Sequence, residues 1–467
     1  MSYVNQRYFS VEEETEKRGE PVSIAYLDAN NLYGYAMSKP MPVGDFRWLS
    51  KEEIKNLNMD SDISEECSTG YIFEVTLEYP PEYHLDHNTL PLAAHRQDIT
   101  GDMLSQYALD ALTVQKKKGL TYKATKLTSS YLRRSKYVCH GICLQLYLKL
   151  GMRLVKTHRV IAFRQEAFIK PYIDFCSKKR AESVTKSRSN TMKLMANSIF
   201  GKMIENSNNR METHFVTDRS TALRRNTDPR LRGQMILGEN LSVAFMAKKE
   251  QKLNQMWPIG FTILELSKAH MLDLFYNTIR PAFNGRASVL LSDTDSFVLA
   301  LPTRTVDEAV TTLKHVMDFS NYAQDHPLYD PSKKNVPGLL KNESPGDDII
   351  ECVAVRSKVY ALRSAKTFDS RCKGVKKSVR KAIPFEEFKS TVLAPEPKMV
   401  TVTQFCIQSK KHVNRLMKIT KTAMTSFDDK RSLADCGIHT FPYGSRFIEL
   451  SAEIGECFFC ANPQLFA

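Results

Sequence analysis

The chain has 467 residues, 42% of them hydrophobic, enough for a large core and more than one lobe and too apolar for overall disorder. No run of about 18 apolar residues occurs and the N-terminal stretch MSYVNQRYFSVEEETEKRGE is polar and acidic, so neither a membrane span nor a signal peptide is expected, only an intracellular protein of nucleus or cytoplasm. The net charge is +14 and it is concentrated: from Ala111 to Val160 there are twelve Lys or Arg and no Asp or Glu, which points to a polyanionic partner.

In chain order, Val22 to Asp28 alternates as a strand that ends on a carboxylate. Asn30, Asn31 and Gly34 punctuate a following turn that holds Leu32 and Tyr33, and the freed N–H groups of such a turn can cradle anionic oxygens. An acidic region from Lys51 to Glu66 precedes a strand over Gly70 to Leu77, and Pro80, Pro81 and Pro91 mark a loop. Asp98 to Lys118 has helical spacing, Tyr137 to Leu150 reads as a helix, and Leu154 to Phe168 alternates as strand. Tyr122, Tyr131, Tyr137 and Tyr147 are interleaved with the bases of this region, a combination suited to phosphate contact and stacking; burial in a helical core is the plainer alternative.

Tyr172 to Lys202 is free of Pro and reads as one long helix. Lys179, Lys186 and Lys193 are seven apart and Asn197 is four further on, so all four fall on one stripe that suits a triphosphate, or else forms a solvated basic face. Phe200 and Gly201 beyond it would let a flat ring lie close to the helix. Residues 206 to 254 give only a loose, polar reading, and Ile259 to Ile279 is a helix ended by Arg280-Pro281. The apolar runs Ala287 to Leu291 and Phe297 to Leu301 then flank Ser292-Asp293-Thr294-Asp295-Ser296, a strand, tight turn and strand with two carboxylates at the tip. Two Asp two residues apart in an extended chain share a face and repel, so a divalent cation is expected, a polar hairpin turn being the alternative. A helix over Val306 to Asn321 should pack behind this hairpin.

In the last third, a strand-like run from Ile349 to Leu362 is interrupted around Lys358 and Tyr360, and a basic cluster follows at Lys373, Lys376, Lys377, Arg380 and Lys381. Pro384 to Ser390 begins a helix, and after Ser409 no element is evident. The ten Cys are scattered; Cys457-Phe-Phe-Cys460 has metal-ligand spacing, but no second Cys or His pair is expected to complete a zinc site.

Three of these stretches, in this order, resemble the polymerase module of family B DNA polymerases, in particular the protein-primed branch of viruses and virus-like mobile elements. Tyr26 to Gly34 is similar to motif A, Lys193 to Gly201 to motif B, Ser292 to Ser296 to motif C, and Lys358-Val359-Tyr360 to the Lys-x-Tyr element near the primer strand. The pattern departs from the family at Asn31, Gly34 and Ser189, where many members carry Ser, Pro and Lys. The resemblance implies an α+β right-hand polymerase fold with an antiparallel-sheet palm, helical fingers and a small thumb. It also implies that Asp28 and Asp295 bind two Mg²⁺ ions, with Asp293 as a third catalytic carboxylate. Leu32, Tyr33, Lys186, Lys193, Asn197, Phe200 and Gly201 would form the nucleotide pocket, with Tyr33 excluding a 2′-hydroxyl. Lys116, Lys117, Lys118, Lys358, Tyr360, Lys373 and Lys376 would contact DNA.

The expected division is an N-terminal extension over 1–21, palm over 22–99 and 259–362, a basic terminal-protein and DNA insertion over 100–170, fingers over 171–258 and a thumb-like region over 363–467. The expected partners are DNA template and primer, deoxynucleoside triphosphates and a terminal protein, with no membrane. With 27 residues before Asp28 the chain is expected either to lack the proofreading exonuclease or to be a fragment. A catalytically inactive DNA-binding remnant and a two-metal nuclease are the competing readings; a nuclease has no use for the Lys stripe or Tyr33.

Overall fold

The computed structural model describes residues 2–115, 121–250, 255–410 and 413–462. Its central element is the strand Ser23–Ala29, whose alternate side chains enter different apolar layers: Ala25, Leu27 and Ala29 one, Ile24 and Tyr26 the other. A strand with both faces covered belongs in the middle of a sheet, and this one pairs antiparallel with Ser296–Leu301 on one side and meets Ile349–Arg356 on the other. The nine-stranded sheet runs Ser2–Val4, Ser288–Asp293, Ser296–Leu301, Ser23–Ala29, Ile349–Arg356, Val359–Ser364 and Phe368–Cys372; Leu340–Asn342 and Tyr8–Ser10 pair off this path.

The helix Trp257–Asp273 continues through a π-helical turn, Leu274–Ile279, and lays Ala269, Phe275 and Ile279 against Phe297 and Leu299. At the other end of the sheet, Phe385–Leu393 presses Phe388 and Val392 onto Val353 and Val355. A four-stranded sheet, ordered Met41–Trp48, Arg153–Glu166, Thr69–Glu78 and Arg134–His140, completes the body.

Several expected elements differ. The stretch read as one helix from Tyr172 to Lys202 is two, Lys170–Ala181 and Lys186–Met203, packed on each other. Thr185 starts the second by accepting the Arg188 N–H, a capping signal that overrides the apparent continuity. Asp98 to Lys118 contains the end of a strand, His95–Thr100, before the helix Gln106–Val114, and the helix expected from Tyr137 is Gly141–Lys149, preceded by a strand. The helix expected over Val306 to Asn321 stops at Thr312. Residues 206 to 254 hold a three-stranded sheet, and beyond residue 398 a long hairpin, Met399–Lys410 and Val413–Thr425, projects with Phe405, Ile407 and Leu416 exposed. Strands with apolar residues on their exposed faces lack the alternation that betrays a strand. The Cys457/Cys460 pair does have a partner pair, since Cys436 and His439 converge on it.

The acid-free segment is partly matched in space. Lys123 pairs with Asp98, Arg153 with Glu78 and Arg159 with Glu74 because antiparallel pairing brings acids from other strands beside these bases; Arg133 also reaches Glu78, and Lys126 reaches Asp429 in a loop. Lys136, Lys149 and Lys156 are exposed and have no ion pair among the described residues, and Lys116, Lys117 and Lys118 lie outside them. The tyrosines are not a stacking platform: Tyr131 and Tyr147 are core, Tyr137 packs against it, and Tyr122 donates its hydroxyl to Asp429.

Arg134 is not a surface base either. It is buried, donating to the carbonyls of Ala93 and Leu132 at 2.8 and 2.9 Å, to Leu92 at 3.1 Å and to Ser130. Replacing it orphans several buried acceptors at once, so Arg134→Met should lower stability by about 3 kcal/mol, while Lys156→Met should change it by less than about 0.5 kcal/mol. Urea midpoints of the two variants against wild type check this; equal midpoints would place Arg134 among the solvated bases.

Candidate active site

The pairing of Ser23–Ala29 with Ser296–Leu301 sets Asp28 opposite Ser296, and the Ala29 N–H donates to the Asp295 carbonyl at 2.7 Å. Asp28 and Asp295 therefore emerge together at one end of the sheet. Between the two hairpin aspartates, Thr294 has φ +72°, a left-handed conformation that a β-branched residue seldom adopts and that surrounding structure must enforce. The Asp295 N–H closes the turn onto the Asp293 carbonyl at 2.9 Å. Because the backbone bends sharply here, the two aspartates do not act as same-face neighbours of an extended strand: Asp293 is ion-paired with Lys358, while Asp295 bears on Asp28.

Burial pushes the Asp28 carboxyl up to about 7, and the charges of Asp295 and Glu343 add to the effect, with Lys193 opposing it. Burial also raises Asp295, Asp293 adds to this, and Lys193 and Lys358 offset part of it. Half-buried carboxylates that repel one another, with a single lysine leaning on both, form a donor set that fits a hard divalent cation. Asp28 and Asp295 are the residues that could hold it.

Sequence reasoning missed Glu343. It follows the short strand Leu340–Asn342, which pairs with Ser23–Ala29 so that Lys341 lies opposite Asp28, and its N–H donates to the Tyr26 carbonyl at 2.9 Å. The signal was an apolar-polar step between Gly338 and Pro345-Gly346, too short to read as a strand.

Past Asp28, Asn31 takes a left-handed conformation (φ +41°) and starts the short helix Leu32–Met37, where a turn had been expected. A Cβ at Gly34 would lie 2.0 Å from the Asn31 amide nitrogen, so a residue with no side chain is what lets Asn31 fold over the helix. Leu32 is buried in the core and Tyr33 turns toward the helix Lys186–Met203, its ring 4.6 Å from that of Phe200 and tilted by 33°. Burial and the charge of Asp295 raise the Tyr33 hydroxyl above its ordinary value.

The structure thus brings Asp28, Tyr33, Lys193, Phe200 and Asp295 to one place. Asn197 is on the same helix, its Oδ1 buried and without a hydrogen-bond partner among the described residues. Lys186 begins that helix, two turns or about 10 Å from Lys193 along the axis. Lys179 does not join the stripe: it is on the neighbouring helix, paired with Glu182 at 3.0 Å. Gly201 faces open space, so no close approach requires it in this arrangement.

At the other side of the carboxylates, Lys358 stands at φ +62° in the turn between Ile349–Arg356 and Val359–Ser364, reaching Asp293. Tyr360 is buried, its hydroxyl 3.2 Å from that of Tyr26. The Lys373 N–H donates to the Lys358 carbonyl at 3.1 Å, and Lys373 and Lys376 are exposed near the base of the long hairpin, where Lys421 bonds to Gly374.

The family model for DNA polymerase type B, organellar and viral, matches residues 10–270, a span that includes Asp28, Tyr33 and Lys193 and stops short of the Asp293–Asp295 turn. Among solved structures, a ternary complex of Phi29 DNA polymerase with primer-template DNA and incoming nucleotide substrates is 15% identical with a TM-score of 0.52, covering 90% of this chain and 61% of that one. An orthorhombic crystal form of Phi29 DNA polymerase is 17% identical with a TM-score of 0.49, covering 91% and 60%. The first of these likenesses shows a shared mixed α/β fold, and this chain spans less than two thirds of the Phi29 chain's length. No curated protein matches the sequence.

The raised Asp28 carboxyl makes a stability prediction. A carboxyl that titrates higher folded than unfolded costs stability when ionised: the penalty is absent below about pH 4, grows as pH rises toward 7 and is complete above it. Without divalent metal, Asp28→Asn should therefore stabilise the chain by on the order of 2 kcal/mol at pH 8, discounted for partial exposure, with the gain shrinking toward pH 5. Thermal midpoints in chelator at the two pH values check this; a destabilised variant at pH 8 would mean the carboxylate is well satisfied without a cation.

Proposed function

Since the chain belongs to the type B DNA polymerases of organelles and viruses, we propose that it performs template-directed DNA synthesis, joining deoxynucleoside triphosphates to a primer 3′-hydroxyl with two Mg²⁺ ions held by Asp28 and Asp295. The observation that carries this reading is the convergence of two repelling carboxylates, a lysine and an aromatic pair drawn from three separated segments. The ions, when bound, supply activation of the attacking hydroxyl and neutralise charge developing on the leaving pyrophosphate.

In this reading the sheet is the palm, the helix pair Lys170–Ala181 and Lys186–Met203 the fingers, and the projecting hairpin Met399–Lys410/Val413–Thr425 part of the thumb. Lys193 holds the triphosphate beside the carboxylates, as cations do in phosphoryl transfer generally, with Lys186 further along the same helix. Tyr33, whose ring is backed by that of Phe200, would be the floor under the sugar and would exclude a 2′-hydroxyl. Lys358 holds Asp293 and, with Lys373 and Lys376, borders the path of the primer strand, while the buried Tyr360 braces the turn from behind. The exposed Lys418 and Arg415 on the hairpin extend that basic border, which suits a phosphate backbone. In the 100–170 region Lys123, Lys126, Arg133, Arg153 and Arg159 are paired with acids while Lys136, Lys149 and Lys156 are exposed, a mixed-charge surface that suits a terminal protein as the primer.

Primer extension on a DNA template with Mg²⁺ tests the assignment. Asp295→Asn should lower extension by at least about 10³-fold with DNA affinity nearly unchanged, since the residue serves the reaction and not docking. Residual extension within about tenfold of wild type would remove Asp295 from the chemistry. Tyr33→Ala should raise the ratio of ribonucleotide to deoxynucleotide incorporation; an unchanged ratio would return Tyr33 to a packing role.

A further inference from the structure

Outside the polymerase site, one cluster has no use in the proposed reaction. Cys436, His439, Cys457 and Cys460 present four ligand atoms that all lie within 4.8 Å of one another. The His439 Nδ1 is 3.6 Å from the Cys436 sulfur and 3.5 Å from those of Cys457 and Cys460. Ligands at about 2.3 Å for sulfur and 2.0 to 2.1 Å for nitrogen on a tetrahedral ion stand about 3.6 Å apart, so the nitrogen is at metal-sharing distance from all three sulfurs.

The backbone is shaped for the same purpose. Cys436-Gly437-Ile438-His439 is a tight turn between the strands Ser432–Leu433 and Thr440–Phe441; Gly437 takes φ +70° and the His439 N–H points at the Cys436 sulfur, 3.5 Å away. Such N–H to sulfur contacts stabilise a thiolate ligand. The second pair brackets the start of the helix Phe458–Ala461, with the Cys460 N–H on the Cys457 carbonyl at 2.9 Å. Three thiolates on a divalent ion leave one net negative charge. The buried Arg7 guanidinium, donating to the Gly437 carbonyl at 2.8 Å inside the first turn, is placed to offset it.

From this geometry we propose that Cys436, His439, Cys457 and Cys460 form a structural zinc site. Three sulfurs and one imidazole, with all four positions filled by protein, select Zn²⁺ and leave no open position for catalysis. What the ion would hold is specific. His439 pairs with Gln6, the Ile438 carbonyl accepts the Arg7 N–H at 2.8 Å, and the strand just before them, Ser2–Val4, pairs Ser2 with Asp293. The zinc turn thus backs the N-terminal strand that edges the carboxylate hairpin. It also ties the last described helix to the body, where the apolar cluster of Phe441, Phe447 and Phe459 is small.

The test uses the full chain, purified under reducing conditions without added metal. Elemental analysis should find about one zinc per chain, and Co²⁺ exchanged into it should give the intense visible absorption of tetrahedral thiolate-bound cobalt. Chelator strong enough to strip the zinc should lower the thermal midpoint by several degrees. Cys457→Ser with Cys460→Ser should lose both the zinc and the cobalt spectrum. A chain that holds less than about a tenth of an equivalent of zinc and gives no cobalt spectrum overturns the proposal. Because zinc content and cobalt absorption on wild type need no variant, failure of the double variant to fold leaves the test intact, and neither readout depends on polymerase activity.

Discussion

Everything at the candidate active site depends on a repulsion that the fold enforces. Asp28 and Asp295 would separate if they could, yet the register between Ser23–Ala29 and Ser296–Leu301 and the bond from the Ala29 N–H to the Asp295 carbonyl hold them at the same end of the sheet. Large apolar residues anchor that register from both faces: Leu27, Phe297 and Leu299 on one, Ile24 and Val298 on the other. Slipping the pairing by one residue would turn each of these to the wrong layer, which is far more costly than keeping two carboxylates close. The strained backbone at Thr294 belongs to the same arrangement, diverting Asp293 to Lys358 and leaving Asp295 to face Asp28.

Around this pair the molecule manages charge at two scales. Near the carboxylates, positive charge is sparse and directed, from Lys193 on the helix and Lys358 in the turn. Over the 100–170 region, bases are numerous and several are matched, by Glu74, Glu78 and Asp98 on neighbouring strands and by Asp429 in a loop. A count along the chain sees fifty residues without an acid; the folded surface sees ion pairs, because antiparallel neighbours in space are distant in sequence.

The same distinction explains what the sequence revealed. The strands carrying Asp28 and the Asp-Thr-Asp turn were legible because buried strands bounded by turn residues leave a local signature, and Tyr33, Lys193 and Phe200 were legible through the family pattern. The break at Thr185 was written as a capping residue but masked by good helix formers on both sides, and with it fell the four-residue stripe that included Lys179. Glu343 was hidden because its position near Asp28 comes from pairing across three hundred residues. Cys436 and His439 were passed over for a similar reason: their spacing is plain once Cys457 and Cys460 are known to lie beside them, and only the fold brings them there. Arg134, a base by composition, is a core residue because four carbonyls converge on it.

The central claim is that these carboxylates and their neighbours copy a template. The most direct measurement is single-nucleotide addition on four primer-templates that differ only in the first unpaired template base, each offered all four deoxynucleotides separately with Mg²⁺. The account predicts that each template directs addition of its complementary nucleotide and that omitting the metal stops all four reactions. Addition that ignores the template base, or shortening of the primer in place of extension, would contradict it.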